Sequence, residues 1–153
     1  MPYARLHAPR PRHVRERVRR VSLVDIRVDI VVLASAVSAG IHAALVADHF
    51  EEGIGAGTGF VVAAALLGAL AIVLTAKPSE LALVGTAAVF AGLILSYVFV
   101  LTTGVPVLHP EAEGVDGLAL FTKAVEALGL MTAASLVRRP SLLAPSHPKG
   151  TAT

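Results

Sequence analysis

Residues 59–76 and 81–102 form runs of 18 and 22 residues without one charged side chain, GFVVAAALLGALAIVLTA and LALVGTAAVFAGLILSYVFVLT. As a helix rising 1.5 Å per residue, about 20 apolar residues cross a hydrocarbon core of roughly 30 Å. Residues 28–47 and 117–137 supply two further runs of 20 and 21 residues, where formal charge enters only at Asp29, Lys123 and Glu126. A strand reading fails, because period-2 alternation is missing and a spanning strand needs only about 10 residues. Four spanning helices are therefore expected. The whole chain agrees: 55% of residues are hydrophobic, 16% are charged and the mean hydropathy is +0.73. A soluble domain carries about 25% charge, and a disordered one is more polar still.

Charge reports topology. Eight of the 13 basic residues are arginines in residues 1–27; Lys77 lies between the second and third runs, and Arg138, Arg139 and Lys149 follow the fourth. The connections 48–58 and 103–116 contain no Lys or Arg. By the positive-inside rule, residues 1–27 are a basic cytoplasmic arm and residues 138–153 a cytoplasmic tail expected to be disordered. The fold class that follows is all-α: an integral-membrane four-helix up-down bundle over residues 28–137, with both termini inside. Lys77-Pro78-Ser79-Glu80 reads as a tight turn, since Pro78 cannot continue a helix and Ser79 can cap the next. Gly104 and Pro106 close the third span. Small residues at Ala36, Gly40 and Ala44, and at Gly85, Ala88 and Gly92, are placed for close helix packing in lipid.

In the arm, Val14–Arg20 is expected to form a short basic helix against anionic lipid. Arg19-Arg20 has the look of a twin-arginine export signal, but Asp25, Arg27 and Asp29 follow it and the apolar run is of full spanning length. The basic charge sits in the arm rather than in a surface stripe, so a nucleic-acid partner is not expected. The partner is the lipid bilayer, with a homo-oligomer or larger membrane complex as a further possibility. Cysteine is absent, which removes disulfides, thiolate metal sites, iron–sulfur clusters and cysteine nucleophiles. The run Gly53–Gly59 lacks a P-loop lysine and reads as a turn into the second span. No serine, histidine and acid trio defines a catalytic triad, and with His42 the only histidine in a span, a haem is not expected.

The chemistry-bearing residues gather on the Lys/Arg-free side. His42 and His49 are two helical turns apart, and Glu52 continues that face if the helix persists. His42 lies roughly 8 Å and Glu126 roughly 13 Å inside their span ends. Ionisable groups at such depth need a partner, so His42 and Glu126 are expected to meet across the first and last spans. Imidazole and carboxylate together suit a divalent transition metal: Zn, Cu, Fe or Mn. The ligand set would be His42, His49 and Glu52, completed by His109 or Glu126. Other readings account for the same residues. The loop acids can be solvated, Glu126 can pair with Lys123 one turn away, and His42 can bond a backbone carbonyl. The cluster can also move protons or ions, or the chain can be an accessory subunit without chemistry of its own.

The stretch AGIHAALVADHFEEGIGAGTGFVVAAAL resembles the opening of small uncharacterised four-helix integral membrane proteins of actinobacteria, in which a first-span His is followed by a second His and an acid. TTGVPVLHPEAEGVDGLALFTKAVEALGL is similar to their second outer loop and last span. The resemblance covers about residues 34–137, with matching positions at His42, His49, Glu52, Gly104, Pro106, His109, Glu113 and Glu126. It implies a bacterial plasma-membrane protein with an outer polar cluster, and it supplies no mechanism.

Overall fold

The computed structural model describes residues 12–103 and 116–138. Among them the chain is all-helical: α1 Arg12–Ala44, α2 Val46–Glu52, α3 Ile54–Ala76, α4 Glu80–Thr103 and α5 Gly117–Val137. α3, α4 and α5 are each long and apolar enough to cross a membrane. α1 from Leu23 joins α2 through a 48° bend, and the two together make a fourth candidate span. Leu33, Ile72, Leu95 and Met131 stand exposed on the outside of the helices, a surface suited to lipid rather than water.

Local chemistry sets the helix ends. Asp116 Oδ1 accepts the Ala119 amide at 2.7 Å and starts α5. Ser79 Oγ accepts the Ala82 amide at 3.2 Å and starts α4, as the sequence predicts. Lys77, Pro78 and Ser79 alone separate α3 from α4, a connection short enough only for antiparallel neighbours. α1 packs on α3 and α5, and α4 packs on α5 and α3, while α2 lies against α3.

The buried apolar residues fall into two groups. Val28, Val31, Leu74, Leu83, Ala133 and Leu136 fill the end remote from α2. Ala34, Leu67 and Phe90 fill the middle. There the Phe90 ring lies on Gly129 so closely that a Cβ at that glycine would collide with it, and would also come to 3.0 Å from Ala34 Cβ. Span hydroxyls satisfy themselves locally: Ser35, Thr75, Thr86, Ser96, Thr122 and Thr132 each donate to the carbonyl four residues back at 2.8 Å.

Several expectations need adjusting. The basic helix foreseen over Val14–Arg20 is not a separate element, since α1 runs unbroken from Arg12 into the first span. The first span does not stop at Ala47 but bends at Leu45 and continues as α2. The glycine run is not a turn either: the break is Gly53 alone, in extended backbone, and α3 begins at Ile54. Gly57 serves packing instead, because a Cβ there would overlap the Phe50 ring. That contact holds α2 down on α3. Ala36, Gly40, Ala44, Ala88 and Gly92 are exposed rather than buried between helices, and the close approach occurs at Gly129. Gly104, Pro106 and the arm before Arg12 lie outside the described residues.

A polar floor beneath a cavity at the α2 end

The inward face of α1 carries Ser35, Ser38 and His42, spaced three and four residues apart, and all three are buried. The inward face of α5 carries Thr122, Glu126 and Gly129 at the same spacing. Because α1 packs on α5, these faces meet. Glu126 is fully buried and His42 is 5% exposed.

Glu126 is held through both oxygens. Lys123 Nζ donates to Oε2 at 2.6 Å, and Ser38 Oγ donates to Oε1 at 2.8 Å. His42 Nε2 stands 3.9 Å from the same Oε1, a spacing that one water or a cation can bridge. The two sequence readings of Glu126 therefore combine: Lys123 takes one oxygen, and the other turns toward α1. Ser38 is the residue that sequence reasoning missed. Unlike the other span hydroxyls it reaches across to a second helix. Its position four residues before His42, on the same helical face, was the available signal.

Both imidazoles are oriented alike. His42 Nδ1 is 2.8 Å from Ser38 O, and His49 Nδ1 is 2.9 Å from Leu45 O. A carbonyl only accepts, so Nδ1 donates in each and Nε2 is the nitrogen left for other partners. His49 Nε2 stands 4.0 Å from Glu52 Oε2. The bend at Leu45 does not part the two histidines, because both rings meet Phe60 of α3. The His49 ring stacks on it at 3.5 Å between centroids, and the His42 ring lies tilted at 5.1 Å. Phe60 is a second residue that sequence reasoning missed, and in the uniformly apolar α3 nothing signals it.

Above this floor opens a cavity of about 350 Å³ bounded by α1, α2, α3, α4 and α5. Its walls include Ile41, Leu45, Phe60, Leu93, Val100 and Leu118, and its polar lining includes His42, His49, Tyr97, Asp116 and Lys123. Lys123 Nζ lies 5.4 Å from the centre of the Tyr97 ring, within cation–π range. Tyr97 thus lines the cavity, whereas Phe99, two residues on, is exposed.

The five metal-ligand candidates are only partly assembled. His42 and Glu126 meet, as do His49 and Glu52, and Phe60 links the two histidines. Glu52 is exposed, and His109 lies outside the described residues. Among the described residues no group of three or more His, Asp and Glu side chains is placed to hold a metal ion. No family model, curated protein or solved structure matches this chain.

Proposed function

We propose that this chain is a four-helix up-down protein of a bacterial plasma membrane, related to the actinobacterial proteins it resembles, that binds a small, largely apolar molecule. Both termini are cytoplasmic, and the pocket opens at the extracytoplasmic end. The observation that carries this reading is the cavity above the Lys123–Glu126–Ser38 floor. Its volume is in the range of small-molecule sites, and its make-up of apolar walls with a few convergent polar groups is theirs too. The distribution of charge supports the orientation, since the cavity lies at the end of the helices whose connections lack Lys and Arg. The apolar core remote from α2 supports binding over transport, because Val31, Leu74, Leu83 and Leu136 close the way beneath the floor.

Gly59 lines the cavity, and a Cβ built there meets nothing within 4 Å. The variant Gly59→Leu is expected to fill the pocket without strain. An apolar aromatic probe, ethylnaphthalene, should bind the protein in nanodiscs saturably, one molecule per chain. Gly59→Leu should weaken that binding about tenfold or more, equivalent to about 1.4 kcal/mol or more, with no loss of thermal stability. Uptake identical to that of empty nanodiscs would contradict the reading.

One observation favours a metal as a second reading. Each histidine gives Nδ1–H to a backbone carbonyl and aims Nε2 at a carboxylate about 4 Å away, the orientation in which imidazole ligates. A Zn, Cu, Fe or Mn ion would then need His109 or another donor from residues 104–115. Metal content of the purified protein after incubation with Zn²⁺ or Cu²⁺ separates the readings, with stoichiometry near zero excluding the second.

A further inference from the structure

The polar groups around the cavity are not symmetric in kind. Lys123 lines it, while Glu126 is fully buried and is not part of the lining. The pair is neutral as a whole, but its positive end faces the cavity. An ammonium has three N–H donors. One goes to Glu126 Oε2 at 2.6 Å and a second reaches Leu93 O at 3.5 Å. The third has no oxygen acceptor among the described residues; beside it is the Tyr97 ring, its centre 5.4 Å from Nζ.

We propose, on the basis of the pocket reading above, that the pocket selects an uncharged, largely apolar molecule that presents a carbonyl oxygen to Lys123 Nζ. A cationic head is disfavoured by the ammonium it would face. An anionic head meets the ammonium but adds a net charge to a neutral, mostly apolar site, and it shares the cavity with the Asp116 carboxylate. A carbonyl oxygen accepts the spare N–H and adds no charge. A plain hydrocarbon fills the walls and leaves that N–H unused. The walls from Ile41, Phe60, Leu93, Val100 and Leu118 then take the rest of the molecule.

The test compares four probes on one aromatic skeleton: acetylnaphthalene, ethylnaphthalene, naphthoate and naphthylmethylammonium. Each is titrated calorimetrically into the full-length protein in nanodiscs, with empty nanodiscs subtracted. Acetylnaphthalene should bind about tenfold more tightly than ethylnaphthalene, as expected for one charge-assisted hydrogen bond, and more tightly than either ion. In the paired variant Lys123→Met with Glu126→Gln, which leaves no charge in the pair and keeps an acceptor for Ser38, the ratio of ketone to hydrocarbon affinity should fall from about ten to about one, whatever the change in hydrocarbon affinity itself. Equal binding of the ketone and the hydrocarbon, or tighter binding of either ion, overturns the carbonyl assignment. Sensitivity of that binding to Gly59→Leu would show that the pocket itself stands. If none of the four binds, the pocket reading falls and the carbonyl assignment falls with it.

Discussion

Replacing Glu126 by leucine is expected to destabilise the protein by about 3–5 kcal/mol, because it strands the Lys123 ammonium inside a membrane-spanning helix. Lys123 is only 18% exposed at its side chain, and its other contacts are a 3.5 Å approach to Leu93 O and the face of the Tyr97 ring. Ser38 would lose its acceptor as well, but it can return to the carbonyl four residues back, as the neighbouring hydroxyls do. The decisive comparison is the pair. Removing both charges with Lys123→Met and Glu126→Leu together should bring the protein back to within about 1–2 kcal/mol of wild type, or above it, since an apolar pair avoids burying charge at all. Reversible unfolding in mixed micelles, followed by circular dichroism, reads both variants. A double variant as unstable as Glu126→Leu alone would mean that the ion pair is not what binds these groups to each other.

Phe90 is expected to come next in effect. It is the largest fully buried side chain among the described residues, and its ring occupies the space left by the missing side chain of Gly129. Phe90→Ala should cost about 3–5 kcal/mol, the range for opening a large cavity in a packed core. Gly129→Val should cost about 1–3 kcal/mol for the opposite reason, since its side chain would run into the Phe90 ring and Ala34. Combined, the two should be less harmful than their sum, because the added methyl groups enter the space the ring vacates. Strict additivity in the same unfolding assay would show that α4 and α5 do not meet at this contact.

The positions of the spanning elements were legible in the sequence as long apolar runs. The span expected over 117–137 coincides with α5, and those expected over 59–76 and 81–102 fall within α3 and α4. The uniformity of such runs hid which face turns inward. α3 and α4 are apolar all round, so nothing in their pattern marks Leu67, Leu74, Leu83 and Phe90 as buried while Ile72, Leu81 and Leu95 are exposed. In α1 and α5 the rare polar residues mark the inward face, which is why the meeting of His42 with Glu126 could be foreseen. The bend at Leu45 carries no proline or glycine to announce it, and the Phe50–Gly57 contact that holds it joins two elements. Ser38 escaped notice because serine in a spanning helix ordinarily bonds its own backbone. Only the proximity of a buried carboxylate on another helix redirects it.

The central claim, a ligand pocket opening at the extracytoplasmic end of a membrane bundle, is tested most directly by placing a thiol in the pocket. The chain has no native cysteine, so single-cysteine variants report without background. Ala119 lines the cavity, and Lys77 sits in the turn at the opposite end. In intact cells a membrane-impermeant maleimide should label Ala119→Cys and be slowed by acetylnaphthalene, while Lys77→Cys should react only after the membrane is permeabilised. Labelling of Lys77→Cys in intact cells with Ala119→Cys protected until lysis, or reaction at Ala119→Cys unaffected by the ketone, would contradict the account.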